Sequence, residues 1–178
     1  MIKYFEQQFL VDAKAQKKRT LLIYLTVLFA YLVACVVVFI KFGQLPFSLY
    51  KDTQSKITIL KVIHYSLTAV MLIFTFIFIG IKFNRVKKFY AKCCNISEGI
   101  KEMSVGSFLE YDEQVQTKDG VDFKSLVFIE WNKYKNDFFE RKVLVFEEKP
   151  FPEIPLNAKV KYITQGNVLV SYEILSNK

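Results

Sequence analysis

Two long runs of uncharged, mostly apolar residues constrain this chain more than any other feature. The first is "LLIYLTVLFAYLVACVVVFI" at 21–40, and the second is "VIHYSLTAVMLIFTFIFIGI" at 62–81. As a helix rising 1.5 Å per residue, each run covers about 30 Å, which is the thickness of the hydrocarbon core of a bilayer. An unpaired strand would leave its backbone groups unsatisfied in lipid, so both runs predict transmembrane helices.

The two predicted spans divide the 178-residue chain into six segments. We expect an N-terminal cytoplasmic amphipathic segment at 1–19, transmembrane helices at 20–41 and 62–83, a short external loop at 42–61, a juxtamembrane cytoplasmic helix at 84–103 and a cytoplasmic β-domain at 104–178. Four apolar residues of the first segment recur at helical spacing, namely Ile2, Phe5, Phe9 and Ala13. We therefore expect this segment to lie along the inner leaflet of the bilayer.

Basic residues give the expected orientation of the spans. Five Lys and Arg residues precede the first span, six follow the second within 20 residues, and the connection at 41–56 carries three. Because Lys and Arg are enriched on the cytoplasmic side, we predict a multi-pass protein of the cell membrane with both termini cytoplasmic. Lys outnumbers Arg 22 to 3, a bias that favours an AT-rich, bacterial genome. The expected membrane-interface anchors are Lys17, Lys18, Arg19, Arg85, Lys87 and Lys88.

An alternative interpretation makes the first span a secretory signal. The tetrapeptide "LVAC" at 32–35 fits the pattern at which bacterial lipoproteins are cleaved and lipidated. Against this alternative, the basic region before the span is long, and apolar residues continue past Cys35 to Ile40. We therefore favour an uncleaved helix.

The net charge of +8 is not evidence for nucleic-acid binding, because the cations lie mostly outside the β-domain. Residues 1–83 hold ten Lys and Arg against three acids, whereas residues 104–178 hold ten against twelve. A surface that binds nucleic acid has to neutralise phosphates with clustered cations. The balance therefore predicts that the partners are the lipid bilayer and a protein or second copy, and not nucleic acid.

The residues that carry most enzyme and metal chemistry are scarce. The chain has one histidine, His64, at the end of the second span, and three cysteines, Cys35, Cys93 and Cys94. A zinc site needs four ligands and a catalytic pair needs a histidine near its nucleophile, and neither set can be assembled in the β-domain. The glycines are scattered, unlike a phosphate-binding loop. We predict no metal, no cofactor and no catalytic residue, and no small-molecule substrate is evident.

An apolar stripe follows the second span. Its members recur at steps of mostly three and four residues: Val86, Phe89, Tyr90, Cys93, Ile96, Ile100 and Met103. This spacing predicts a helix that leaves the bilayer and packs on the β-domain, ending before Gly106. Cys93 then lies on the stripe as a small buried residue, with Cys94 on its flank.

The pattern changes after Val105 to short runs rich in Phe, Val, Ile and Tyr, which is typical of strands. We predict strands at 107–116, 121–131, 138–147, 158–164 and 168–175, with turns at "KDG", "NKYKND" and "QGN" and an extended proline-containing link at 149–157. The second and third strands are apolar on parts of both faces, so each face needs a cover. The fold class expected is a membrane α-helical hairpin plus a five-stranded, partly open barrel, OB-like or SH3-like, or a meander packed on the juxtamembrane helix.

Aromatic residues crowd the second predicted hairpin. Phe128 and Phe139 are expected in the core, whereas Trp131, Tyr134 and Phe138, with Lys133 and Lys135, are candidates for contact with a partner. Trp131 and Tyr134 are alternatively candidates for anchors at the membrane interface. Stacking on single-stranded nucleic acid is the weaker alternative because the domain is slightly acidic.

These features favour a non-catalytic interaction or scaffold module that recruits or regulates a larger membrane assembly. One alternative is an accessory subunit of a membrane transport or export complex. Another is a membrane-tethered enzyme with an unrecognised acidic site. Neither span has Asp, Glu, Lys or Arg in its interior, which argues against an ion pathway formed by this chain alone.

The terminal hairpin "NAKVKYITQGNVLVSYEI" at 157–174 covers about a tenth of the chain. With the membrane helices, this hairpin gives a layout that loosely resembles NfeD-like membrane proteins, which join membrane helices to a small five-stranded barrel and accompany membrane proteases or scaffold proteins. Such hairpins occur in many barrels, so the chain is not assigned to that family.

Overall fold

A computed structural model describes residues 1–45, 51–132 and 134–176 of the chain. The helices are α1 (Gln7–Gly43), α2 (Lys51–Ile77), a π-helical segment (Phe78–Phe83) and α3 (Asn84–Glu98). The strands are β1 (Ile2–Lys3), β2 (Glu102–Lys118), β3 (Val121–Asn132), β4 (Asp137–Phe146), β5 (Lys159–Gln165) and β6 (Val168–Ser176). The chain forms two compact units, a helical unit of residues 16–86 and a β unit of residues 1–15 and 87–178.

The helical unit contains two helices that are long and apolar enough to cross a membrane. Large apolar side chains stand exposed along both helices, among them Phe39 and Phe76 at 76% and 77%. Two hydroxyl pairs join the helices, Tyr24 with Thr75 at 3.4 Å and Tyr31 with Thr68 at 3.2 Å. Each pair gives two side-chain hydroxyls a hydrogen-bond partner on the neighbouring helix. α2 begins at Lys51, so much of the expected loop at 42–61 is helical, and residues 46–50 of that loop lie outside the described residues.

The β unit is built on a five-stranded barrel in the order β2-β3-β4-β6-β5, closed by pairing of β5 with β2. All neighbours are antiparallel except β4 and β6, which share one parallel pair, Leu144 with Val168. The predicted barrel is therefore confirmed. The alternative of a simple meander is wrong because the link at 149–157 carries the chain across the barrel, so that β5 pairs with β2 and not with β4.

Two tight turns form where the sequence predicts them. Asp119 and Gly120 have φ values of 57° and 77°, and Gly166 and Asn167 have 54° and 68°. Positive φ at both central residues is the requirement of a type I′ hairpin turn, and Gly, Asn and Asp adopt it with least strain. These turns set the bounds of β2, β3, β5 and β6.

Both faces of β3 and β4 are covered, as the sequence predicts. One core fills the barrel and includes Phe108, Leu126, Phe128 and Tyr162. A second core lies outside the barrel and joins Phe123, Leu144 and Phe146 to Cys93 and Ile96 of α3. The side chains of β3 alternate between these two cores, as a strand with period two requires.

The first 15 residues belong to the β unit, which corrects the expectation that they lie on a lipid leaflet. β1 pairs with β6, and the N–H groups of Tyr4 and Phe5 both donate to the carbonyl of Val170 at 2.9 Å. Three residues of the predicted apolar stripe pack on the second core, namely Phe5, Phe9 and Ala13. The same stripe that could have faced lipid faces protein, because the barrel leaves an aromatic surface that needs a cover.

α3 ends earlier than the apolar stripe predicts. The helix stops at Glu98, and Ile100 and Met103 are 90% and 60% exposed. A Cβ at Gly99 would lie 2.5 Å from both the Asn95 carbonyl oxygen and Nε2 of Gln165, so glycine permits a close approach there. Gly106, expected to end the helix, lies instead inside β2.

Candidate functional site

The hairpin of β3 and β4 ends in a group of exposed aromatic rings. Trp131, Tyr134, Phe138 and Phe139 are exposed at 47%, 101%, 65% and 41%. The rings of Trp131 and Phe138 are opposite each other in the strand register and meet edge to face, with centroids 4.8 Å apart. We call these four residues the aromatic tip. Most large apolar side chains near the middle of the same strands are buried, so the tip is an apolar surface with no cover in the β unit.

The structure separates the predicted aromatic residues into core and surface. Phe128 is fully buried and stacks on Tyr162 at 4.4 Å, as expected for a core residue. Phe139 was also expected in the core, but it is exposed because the hairpin extends past the end of the barrel. Lys135 is exposed beside the tip, and Lys133 lies outside the described residues.

Side-chain hydrogen bonds shape the turn that carries Tyr134. Oδ1 of Asn132 accepts from the N–H groups of Tyr134 and Lys135 at 2.9 and 3.3 Å. Asn136 then reverses the chain with a φ of 54°. Asn side chains stabilise turns in this way and tolerate the left-handed region. The turn therefore holds Tyr134 in the solvent.

A polar cluster lies beneath the tip, inside the end of the barrel. Arg141 lies 3.6 Å from the carboxylate of Glu130, which also accepts a hydrogen bond from the Tyr162 hydroxyl. The remaining guanidinium contacts are to Ser104 Oγ at 2.8 Å, Glu102 Oε2 at 3.3 Å, Thr164 Oγ1 at 3.3 Å and Asn167 Oδ1 at 3.4 Å. We call this group the arginine cluster. It ties β3 and β4 to β2, β5 and the last turn.

Burial raises the pKa of Glu130 above its ordinary value of 4.5, and Arg141 acts in the opposite direction. Desolvation disfavours the carboxylate, and the nearby guanidinium restores much of the loss. Each member of the cluster has a polar partner, so the arrangement is suited to stiffening the base of the hairpin. Sequence reasoning missed the cluster, although Glu130 and Arg141 are charged residues at inward positions of apolar strands, which is a readable signal.

The outer edge of β4 beside the tip is open. Residues 137–143 pair with β3 on one side, and within the described chain the other side has no strand partner before the single pair at Leu144. An open edge presents unpaired backbone donors and acceptors, which can accept another extended strand.

The other predicted residues are dispersed. Five of the six predicted membrane-interface anchors are exposed, and Lys17 is half-buried. Lys88 lies against Gly120 within the β unit, and Lys92 pairs with Asp119 at 3.1 Å. The start of α3 therefore contacts the turn between β2 and β3, at the opposite end of β3 from the aromatic tip.

The adjacent cysteines have different environments. Cys93 is fully buried in the second core, where burial raises its pKa to about 12, and Cys94 is half-buried. A thiol with so high a pKa is a poor nucleophile and a poor metal ligand at neutral pH. Among the described residues, no three His, Cys, Asp or Glu side chains are grouped to hold a metal ion.

Comparisons with family models, with curated proteins and with solved structures find no match.

Proposed function

We propose that this chain is a two-pass protein of the cell membrane whose cytoplasmic β unit is a non-catalytic docking module, and that the aromatic tip and the open edge of β4 bind a partner protein. The partner would add an extended segment to β4 and place apolar side chains against Trp131 and Phe138. In this mode the backbone supplies affinity and the side-chain contacts supply specificity. The docked protein would belong to a larger membrane assembly.

The observation that most directly supports docking is the exposure of four large aromatic rings on a stiffened hairpin. Tyr and Trp are enriched at protein interfaces because they bury much area at low entropic cost. The arginine cluster holds the base of the hairpin, so little ordering of the β3–β4 base has to accompany binding. The slightly acidic charge of residues 104–178 makes a nucleic-acid strand a poor occupant of the same surface.

Within the β unit, the aromatic tip lies far from the residues that follow the helical unit. The chain enters the β unit at Lys87, within α3, and Lys88 lies beside the turn at Gly120. β3 then runs from Val121 to Asn132, about 35 Å of extended strand at 3.3 Å per residue. The tip thus lies at the far end of a long strand from the residue that joins the span.

The composition of the β unit supports the proposed membrane topology. Residues 1–15 precede the first apolar helix, residues 87–178 follow the second, and both fold into one unit. If both helices cross a membrane, the two ends of the chain must lie on the same side. The Lys and Arg bias favours the cytoplasm as that side.

We also infer that the barrel is of the OB type. Its crossed strand order and the single β4–β6 pair correspond to a partly open Greek-key barrel of five strands.

Site-specific photocrosslinking in cells tests the docking proposal. A photoreactive phenylalanine analogue at Tyr134 should capture one defined partner band, and the same analogue at Lys118, at the opposite end of β3, should not. Trp131→Ala with Phe138→Ala should abolish capture from Tyr134 while the protein stays in the membrane fraction. Two differently tagged copies in one cell show whether the band is a second copy of this chain. Equal capture from both positions, or capture that survives the double substitution, would refute the proposal.

A further inference from the structure

A cavity of about 560 Å³ lies in the β unit, away from the aromatic tip. Its walls come from the N-terminal segment, the end of α3, the link before β2, and the outer faces of β5 and β6. Cavities of about 300–1,000 Å³ are the usual size for small ligands.

β6 carries an extra residue at the wall of the cavity. Ile163 of β5 pairs with Ser171, whereas Thr164 pairs with Leu169, so Val170 is bulged. A bulge re-aims the side chains that follow it. The carbonyl of Val170 accepts both N–H bonds from the N-terminal segment, and Ser171 is turned to the outer face.

A cross-strand row forms one wall of the cavity. Lys3 of β1 pairs with Ser171, which pairs with Ile163, so the three side chains lie side by side on one face. Ser171 is only 7% exposed and lines the cavity, so its hydroxyl is placed to donate a hydrogen bond to a ligand there.

The lining also includes apolar and cationic residues. Ile96 is fully buried, Phe5 is half-buried, and Lys3 and Lys101 are exposed. Neither lysine has an ion-pair partner among the described residues. Glu6 is the one acidic residue of the lining, so the two cations outnumber it.

We propose that this cavity binds a small organic anion, a carboxylate or phosphate carried on an apolar chain or ring. The anionic group lies between Lys3 and Lys101 and accepts a hydrogen bond from Ser171, and the apolar body rests on Ile96 and Ile163. Because Lys3, Phe5 and Glu6 belong to the segment that leads into α1, a bound ligand stabilises the docking of that segment on the barrel. The anion can come from a soluble metabolite or from a lipid headgroup, since both offer the same chemistry.

The test compares three matched probes on the full chain in phosphatidylcholine nanodiscs, with empty nanodiscs as the blank. Hexanoate, hexylamine and 1-hexanol share one apolar chain and differ in charge. Titration calorimetry should give hexanoate an affinity at least tenfold higher than that of either other probe. Lys3→Met with Lys101→Met should weaken hexanoate about tenfold, and Ser171→Ala about threefold, as expected for rim ion pairs and a neutral hydrogen bond.

Lys118→Met, which removes an exposed lysine from a distant turn, should leave hexanoate affinity unchanged. Unfolding midpoints of all variants check that the fold is kept. Nanodiscs with added phosphatidylglycerol identify the source of the anion. If phosphatidylglycerol weakens hexanoate binding to the unsubstituted chain but not to the double lysine variant, the anion is a lipid headgroup. If phosphatidylglycerol does not change hexanoate binding, the anion is soluble. Equal binding of hexylamine, or full hexanoate affinity in the folded double variant, would overturn the proposal.

Discussion

Glu130 is a buried charged residue that polar partners stabilise in this fold. Its carboxylate is inside the barrel end, accepts the Tyr162 hydroxyl and faces the Arg141 guanidinium. A buried ion pair adds little net stability, but removing one partner is costly because the other charge stays in a poor solvent. Arg141 also contacts β2, β5 and the last turn, so it determines whether the hairpin base stays attached to the barrel.

Arg141→Met should destabilise the β unit by about 3 kcal/mol at pH 7, because it leaves Glu130 charged and unpaired. Burial already raises the pKa of Glu130, and loss of Arg141 removes the interaction that lowers it. A carboxyl whose pKa is higher in the folded state gives stability that is present at low pH and lost as pH rises through that pKa. The deficit should therefore shrink as pH falls from 7 toward 4.5.

Denaturant unfolding of the full chain in micelles measures this effect through the fluorescence of Trp131, the only tryptophan. Glu130→Gln combined with Arg141→Met supplies the control. With neither Glu130 nor Arg141 left to ionise, the deficit of the double variant should change less between pH 7 and pH 5 than the deficit of Arg141→Met does. A deficit of Arg141→Met that is equal at pH 7 and pH 5 would show that Glu130 does not titrate as described.

At the scale of elements, the features predicted correctly from the sequence are those that neighbouring residues in the chain determine, such as turns and strand bounds. Strand bounds agree within a few residues because Asp119-Gly120 and Gly166-Asn167 demand tight turns. The docking of residues 1–15 could not be predicted, because a stripe of Phe5, Phe9 and Ala13 has the same period whether it faces lipid or protein. The arginine cluster and the Ser171 cavity depend on strand register and on one bulge, which join residues distant in sequence.

Two phenylalanine substitutions should separate stability from docking. Phe9 lies 5.3 Å from Phe146 and 5.7 Å from Phe89, with Nζ of Lys149 4.3 Å from its ring centroid. Phe9→Ala should cost about 2–3 kcal/mol of unfolding free energy by opening this cluster. Phe138→Ala, at an exposed position, should cost less than about 0.5 kcal/mol.

The two substitutions should have the opposite order of effect on capture of the partner by crosslinking from Tyr134. Phe138→Ala is expected to lose most of the partner band, whereas Phe9→Ala keeps it at temperatures where the β unit remains folded. If Phe9→Ala abolished capture without lowering the unfolding midpoint, the N-terminal segment and not the hairpin would be the docking surface.

For the whole molecule, the β unit needs residues from before the first apolar helix and from after the second. Cleavage before Cys35, as the signal alternative requires, would remove Phe5, Phe9 and Ala13 from the second core. The packing of these residues therefore favours an uncleaved first helix.

Cysteine labelling in cells tests this arrangement directly. In a chain with Cys35, Cys93 and Cys94 replaced by Ala, a cysteine at Asp52, near the start of α2, should react with a membrane-impermeant maleimide in intact cells. A cysteine at Lys118, in the β unit, should react only after permeabilisation if both chain ends are cytoplasmic, as the basic flanks favour. Both positions are exposed, so burial does not explain a difference between them. Labelling of the Lys118 position in intact cells would reverse the orientation, and loss of an N-terminal tag from the mature protein would restore the cleaved-signal alternative.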